Sequence, residues 1–439
     1  ECCPRPDTSL CAQRQTPVSA MGLGLSRVGG PYVWAYLGFT STMHLLEQYL
    51  ELRQLRKNRE TQVPGEFAAL VDDKKFMESQ NYQKDKRMFG FVRDWVSFAV
   101  DKLSLFVITP AAWAFASRVC GPGAEYSATL LWMFLLQWSE KPVSIPMSLY
   151  SNFVVEEKHG FNKMTLKLFF TDLIKSEALA YVFGGTLIPL LIWIVRRTGQ
   201  NFYLYLWGSV QVLIFSFMWI YPNMIQPLFN KFEELKDEDL RKQIEDLAAE
   251  ENFPLTKLFQ IDGSKRSGHS NAYFFGFWKY KRIVLYDTLL HLKHEDILAI
   301  LCHELGHWKF GHTLVNLGIS SAHIFVLFWL FGTVMYSGDM SRDMVRQFGY
   351  GDSSAVMIQL SLFMMLFSPT EQLLSLGMTM LSRHFEFQAD SFAATKGRGP
   401  ALRSGLFQIH EENKGDLNPD PWYSWYHFSH PPLIERVRA

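Results

Sequence analysis

The sequence predicts a mainly α-helical, polytopic membrane protein with about seven transmembrane helices and a small β-sheet outside the bilayer. Three observations predict this class. Several apolar runs are long enough to cross a bilayer, basic residues concentrate in alternate loops between them, and a polar segment between the fifth and sixth runs has the pattern of mixed helix and strand. The 48% hydrophobic and 15% aromatic content of the 439 residues is compatible with such a protein.

Seven runs approach or exceed the roughly 20 apolar residues that a spanning helix needs. They cover residues 32–50, 95–116, 127–150, 179–195, 202–225, 314–335 and 356–380. Buried helices of a large soluble enzyme are the alternative, but so many long apolar runs rarely occur in one soluble domain. Charged side chains within the runs should pair or face a wet interior, because a charge facing lipid is costly. They are Asp101, Lys102, Glu140, Lys141 and Glu371.

The loops after the first, third and fifth runs are rich in Lys and Arg, whereas those after the second and sixth carry few. Basic loops stay in the cytosol. With seven spans, this pattern predicts an N-terminus outside the cytosol or in a lumen and a C-terminus in the cytosol.

Overall composition excludes other classes. The 43 basic and 43 acidic residues balance, so the chain has no electrostatic basis for binding nucleic acid. Five cysteines, three of them crowded at positions 2, 3 and 11, form no disulfide framework.

The pattern divides the chain into five parts. Residues 1–30 are expected to be a disordered or artefactual N-terminus, with Met21 as a plausible start, and 31–226 to hold spans one to five with their loops. Residues 227–312 should form a cytosolic module with a helix over 233–251 and strands near 258–261, 271–277 and 282–286. Spans six and seven occupy 313–380, and 381–439 form a C-terminal segment.

The strongest local signal is an H-E-x-x-H pattern at 303–307, preceded by the amphipathic stretch 295–300. On a helix, residues four apart share a face, so His303 and His307 can reach one metal ion. Glu304 lies beside them, placed to take a proton from metal-bound water. The pattern predicts a zincin-like catalytic module.

A catalytic zinc needs a third protein ligand and one open position. Glu386 is the best candidate, because Glu386 and Asp390 are also one helical turn apart, and Asp390 could then orient a ligand histidine. His312 and His384 remain alternative ligands, and an exposed acidic helix face is the structural alternative.

These motifs resemble the type I CAAX prenyl proteases of peptidase family M48, the seven-span zinc endopeptidases of the endoplasmic reticulum. The resemblance runs from about Tyr32 to the end of the chain. It rests on the stretches 156–162, 263–267, 271–273, 303–308, 385–390 and 429–432. The chain lacks the long charged insertion that vertebrate members carry between positions 286 and 303.

The resemblance implies one Zn²⁺ per chain held by His303, His307 and Glu386, with Glu304 as base and Asp390 in a further catalytic role, often proton donation. It implies helices that enclose an intramembrane chamber, with the zinc on its cytosolic side. It also implies farnesylated CAAX proteins as substrates, which lose their last three residues and in some members receive a second cut upstream. The implied location is the endoplasmic reticulum membrane, extending to the inner nuclear membrane.

Two further catalytic residues are expected, because hydrolysis of a peptide forms an oxyanion that needs hydrogen-bond donors. Asn271 and His430 are placed near the zinc by the family comparison; a turn asparagine and a histidine before a Pro-Pro helix stop are the alternatives. The stretch 271–277 could bind the peptide as an edge strand. Arg436 could tether the C-terminal segment or a substrate carboxylate.

Two other functions remain open from the residues themselves. A site-2-type intramembrane protease would place H-E-x-x-H inside a spanning helix, whereas here Glu295, Asp296 and Lys309 flank the motif. A membrane scaffold with structural zinc would need a fourth protein ligand, and Glu304 would have no role in it.

Overall fold

The structure is a computed structural model that describes residues 28–65, 71–277 and 280–438. The expectation for residues 1–30, including Met21 as a start, falls almost entirely outside the described residues.

Every predicted apolar run lies within helix. The first five runs correspond to α1 (Pro31–Lys57), α2 (Asp73–Leu103) with α3 (Thr109–Cys120), α4 (Glu125–Tyr150), α5 (Leu166–Thr198) and α6 (Phe202–Ile220). A π-helical turn, Ser104–Ile108, joins α2 to α3. Among the described residues, three helical stretches are long and apolar enough to cross a membrane by length and composition: Asp73–Cys120, Leu166–Leu228 and His312–Met335.

The outer surfaces of these helices expose large apolar side chains. Trp34, Leu45, Ile174, Val212 and Trp219 are each more than half exposed. Large apolar side chains exposed on several long helices are unfavourable in water, and a lipid bilayer would cover them.

The charged residues of the predicted spans have polar surroundings. Lys102 donates to the Thr40 hydroxyl at 2.8 Å, and Lys141 pairs with Glu177 of α5. Asp101 and Glu140 line a cavity of about 330 Å³ between α2 and α4. This agrees with a polar interior between the helices.

The polar segment after α6 folds into a small sheet with one helix. Its elements are β1 (Phe232–Glu234), α7 (Glu238–Glu250), β2 (Leu255–Ile261), β3 (Ala272–Phe277) and β4 (Tyr280–Tyr286). The strand order is β1-β2-β4-β3, with β2 and β4 parallel and the other pairs antiparallel. Strand β3 therefore lies at an edge of the sheet.

The helix expected over 233–251 begins later, at Glu238. Residues 232–234 pair with β2 instead, and the Asp237 carboxylate accepts a hydrogen bond from the Leu240 N–H at 2.9 Å, which caps the helix. Propensity alone could not show that the first charged residues had a strand partner.

The rest of the chain is helical. It forms α8 (His294–Lys309), α9 (His312–Met335), α10 (Asp339–Gln347), α11 (Val356–Thr395), α12 (Gly399–Glu412), α13 (Pro421–His427) and α14 (Leu433–Arg438). Helix α11 continues without a break across position 380, so the last predicted span and the segment with Glu386 form one helix roughly 60 Å long.

One apolar core unites the sheet, α7, α8, the end of α11 and α12. Leu285, Leu301 and Ala393 are buried in it, and Phe274 of β3 packs against it. The core fixes α8 beside the edge strand on one side and beside α11 on the other.

Helices α8 and α11 cross closely at Gly306. A Cβ at this position would lie 3.1 Å from the Ala389 Cα and 3.3 Å from the Phe392 Cβ. Helix packing therefore favours glycine at this position of the H-E-x-x-H pattern.

We expect Gly306→Ala to lower the free energy of unfolding by about 1–3 kcal/mol, because the added methyl group must separate two packed helices. Gly318→Ala is the control, since a Cβ there meets nothing within 4 Å. Thermal unfolding of both variants in detergent measures the difference. Equal melting temperatures would mean that the crossing tolerates the methyl group.

Candidate metal centre

The centre is built from one turn of α8 and one turn of α11. His303 and His307 share a face of α8, and Glu386 approaches from α11 across the Gly306 contact. One potential ligand atom from each residue lies within 4.8 Å of the other two.

The distances fit a single metal ion. His303 Nε2 lies 3.2 Å from His307 Nε2, and the Glu386 oxygens lie 3.3 Å from His307 Nε2 and 3.5 Å from His303 Nε2. Ligand atoms about 2.05 Å from a tetrahedral metal are roughly 3.3 Å apart. The three side chains already have this spacing.

A buried oxygen atom points to the same use. Glu386 Oε2 is buried and forms no hydrogen bond of good geometry in the described part of the chain, although His303 Nε2 and Arg436 Nη1 lie 3.5 and 3.6 Å away. A buried carboxylate oxygen without a good hydrogen bond is unfavourable, and coordination of a cation would satisfy it. The donor set of two imidazole nitrogens and one carboxylate suits a divalent metal.

The ionisation state of Glu386 also suits a ligand. Burial alone would raise the pKa of this carboxyl, but hydrogen bonds from three neighbouring histidines outweigh it and hold the pKa below its usual range. Glu386 is therefore an anion at neutral pH.

Asp390 orients the first histidine. Its Oδ1 accepts from His303 Nδ1 at 2.8 Å, which leaves His303 Nε2 facing the metal position. Arg436 of α14 binds the same carboxylate with two hydrogen bonds of 2.6 and 2.8 Å. Burial would raise the pKa of Asp390, but Arg436 and His303 outweigh it and lower that pKa.

The second histidine is oriented by a chain of polar side chains. His307 Nδ1 lies 2.9 Å from His312 Nδ1, and His312 Nε2 lies 2.9 Å from the Gln388 amide oxygen. Gln388 in turn contacts His384 at 3.0 Å. If His307 presents Nε2 to a metal, its Nδ1–H donates along this chain, with every donor matched to an acceptor.

This arrangement places His312 and His384, the alternative ligands, behind His307 rather than in the group of three. Residue spacing alone does not predict this contact, because the contact depends on the turn at Gly311. That residue has φ of 69°, which ends α8 and brings His312 back against His307.

Glu304 lies beside the group, partly exposed. Burial raises the pKa of its carboxyl and the charge of Glu386 adds to this, whereas the nearby histidines oppose the rise. A raised pKa brings a carboxylate closer to the range in which it accepts and releases protons at neutral pH.

The two further predicted residues differ in position. His430 is 68% exposed and its Nδ1 lies 3.0 Å from Glu386 Oε1, so it belongs to the centre. Asn271 immediately precedes β3, and its side chain accepts from the Ala272 N–H at 2.8 Å. In the described chain it makes no contact with the three candidate ligands.

The segment that carries His430 is held by α1 and α2. Arg87 of α2 pairs with Glu51 at 3.0 Å and with Asp416 at 2.5 Å, and Arg53 of α1 binds Asp420 at 2.9 Å. These ion pairs connect the segment that carries His430 to α1 and α2.

Comparison with known proteins identifies the family of the chain. Residues 52–231 match the N-terminal domain of CAAX prenyl proteases, described as five membrane helices, and residues 234–439 match peptidase family M48. The chain is also similar to a solved structure, the crystal structure of S. mikatae Ste24p, with a TM-score of 0.86 and 36% sequence identity over 94% of this chain and 99% of that one.

Curated relatives are similar over nearly the whole length. A CAAX prenyl protease 1 homolog of Arabidopsis thaliana is 42% identical, covering 93% of this chain and 97% of the relative. The homolog of Homo sapiens is 37% identical over 92% and 94%. The predicted family and helical membrane fold are thereby confirmed, and the enzyme prediction is favoured over a scaffold. The chain belongs to peptidase family M48, as a membrane metallopeptidase with the N-terminal domain of the CAAX prenyl proteases.

Proposed function

We propose that this protein is a zinc-dependent endopeptidase of the endoplasmic reticulum membrane that removes the last three residues of farnesylated CAAX proteins. The observation that carries the proposal is the group of His303, His307 and Glu386 beside Glu304, in a chain whose relatives are named CAAX prenyl proteases. A second cut upstream and a further location in the inner nuclear membrane go with the same proposal.

Zinc is the proposed metal and His303, His307 and Glu386 are its proposed ligands. Two imidazoles with one carboxylate form a donor set of catalytic zinc sites, in which three protein ligands leave one position open. A site-2-type protease would place H-E-x-x-H inside a spanning helix and an Asp in a later one. It is less well supported, because Asp390 hydrogen-bonds His303 and lies on the same helix as Glu386, which is the proposed third ligand.

Bound zinc would activate water and polarise the scissile carbonyl. Glu304 accepts the proton of the attacking water and passes it to the leaving amine. Asp390 was the other expected donor, but its lowered pKa suits it less well to giving a proton than to holding His303. Arg436 in turn holds Asp390. His430 and Asn271 are proposed to donate hydrogen bonds to the oxyanion, His430 with the stronger support because it already contacts Glu386.

The substrate peptide is proposed to lie along β3. This strand is at the sheet edge, next to α8, and an edge strand offers unpaired backbone groups to an extended peptide.

The proposed organisation of the chain keeps the five parts 1–30, 31–226, 227–312, 313–380 and 381–439. The metal is proposed to lie on the cytosolic side of an intramembrane chamber.

We expect Glu386→Ala to lose most of its bound zinc, because two histidines alone lack the ligand number of a catalytic site. Ser391→Ala, at an exposed position on the same helix, should keep about one zinc per chain. Elemental analysis of the purified variants measures both. Full zinc in Glu386→Ala would move the third ligand elsewhere, and His312→Ala would be tested next.

We expect Glu304→Gln to retain zinc while kcat falls about 10²- to 10⁴-fold, because the amide keeps the shape but cannot accept a proton. Glu295→Gln, at an exposed position in the first turn of α8, is the matched control and should keep wild-type turnover. Retained turnover in Glu304→Gln would contradict the role of this residue as base.

We expect farnesylated CAAX peptides to be cut between the modified cysteine and the next residue, with much lower kcat/KM for unprenylated peptides. The lipid contributes about 0.8 kcal/mol per buried CH₂ and concentrates the peptide at the membrane. Matched peptides are compared in detergent and in liposomes. Equal values in both settings would show that the lipid takes no part in recognition, leaving a membrane zinc endopeptidase of unknown substrate.

A further inference from the structure

A cavity of about 680 Å³ adjoins the metal centre. One wall is a face of α2, and the other is formed by α12 and the segment that leads to α14. His430 and Arg436 line it, and His430 touches Glu386, so the cavity begins one side chain from the candidate ligands. Its volume is typical of sites that enclose a small ligand, and a tripeptide is of this size.

Two of the arginines in this cavity already have strong partners. Arg436 is bound by both oxygens of Asp390, at 2.6 and 2.8 Å. Arg87 is shared between Glu51 and Asp416. Their charges stabilise the fold and are not available to a ligand, which argues against Arg436 as the group that holds a substrate carboxylate.

Two other cations in the cavity are differently placed. The Lys86 ammonium faces the Tyr82 ring at 5.4 Å, and its charge helps to lower the pKa of Glu156, but it forms no ion pair within 4 Å among the described residues. Arg93 contacts the neighbouring Asp94 at 3.4 Å, and both side chains are exposed, at 52% and 38%, so this pair is weak. Both cations therefore remain able to bind an anion.

The two cations lie on one face of α2. They are seven residues apart, which on a helix is two turns and roughly 10 Å. The long stems of lysine and arginine allow their charged ends to approach each other across this interval. The cavity lining holds four Lys and Arg side chains against three carboxylates, Glu51, Asp94 and Asp416, and two of these carboxylates are paired with Arg87.

We propose that Lys86 and Arg93 bind the free α-carboxylate at the C-terminus of the substrate, an inference that rests on the proposed function. Release of three residues requires the carboxylate to lie about 10 Å beyond the scissile bond, the length of three extended residues. A carboxylate that leaves water for a confined cavity needs a cationic partner. Cations held at such a distance from the metal would select the third peptide bond from the end.

The test uses one farnesylated CAAX peptide in two forms, with a free C-terminal carboxylate and with a C-terminal amide. We expect the wild type to cleave the acid with a kcat/KM about 10- to 100-fold above that of the amide, the range for a hydrogen bond to a charged group. Lys86→Met and Arg93→Gln should each lose most of this preference by slowing on the acid peptide alone. Lys86→Arg should retain it.

The control is Lys84→Met, on the same helix but outside the cavity lining, which should keep the wild-type preference. Unchanged cleavage of the amide peptide and unchanged zinc content show that each variant is folded. Equal cleavage of acid and amide by the wild type would overturn the proposal while leaving the proposed function intact. A preference that survives in both Lys86→Met and Arg93→Gln would also overturn it. Cleavage of neither peptide by the wild type would overturn the proposed function and this inference with it.

Discussion

The close crossing of α8 and α11 at Gly306 and Ala389 is the contact on which the metal centre depends. Ligand atoms that stand 3.2–3.5 Å apart come from two helices, so any separation of the helices separates the ligands. The buried Glu251 supports the crossing, since it pairs with Lys396 at the end of α11 and approaches Lys309 of α8 at 3.8 Å. The geometry of the metal centre therefore depends on how α8 and α11 pack as well as on which residues are the ligands.

The same helices connect the centre to the membrane. Helix α11 is continuous from the last predicted span to Asp390. Ion pairs from Arg87 of α2 to Asp416 and from Arg53 of α1 to Asp420 hold the C-terminal segment against these two helices. Buried ion pairs of this kind are sensitive to the loss of one partner, because the other charge is left without compensation. The position of His430 thus depends on helices that are distant in the sequence. A substrate held in the bilayer would therefore reach a site that is held in place by membrane helices.

Periodicity and residue spacing were enough to predict the helices and the common face of His303 and His307, because both follow from the local geometry of an α-helix. Glu386 could be selected for a similar local reason, its spacing from Asp390. The contacts between distant segments could not be predicted in this way. The chain from His307 through His312 to Gln388 depends on a left-handed turn at Gly311 and on the helix crossing, and the pairing of Arg436 with Asp390 depends on how α14 docks.

The most direct test of the central claim is reversible removal of the metal. The purified full-length chain should contain about one zinc, a chelator should abolish cleavage of a farnesylated CAAX peptide, and one equivalent of zinc should restore it. Restoration that saturates at one zinc per chain would match a single centre at His303, His307 and Glu386. Full cleavage by protein shown to be free of zinc and other metals would contradict the account.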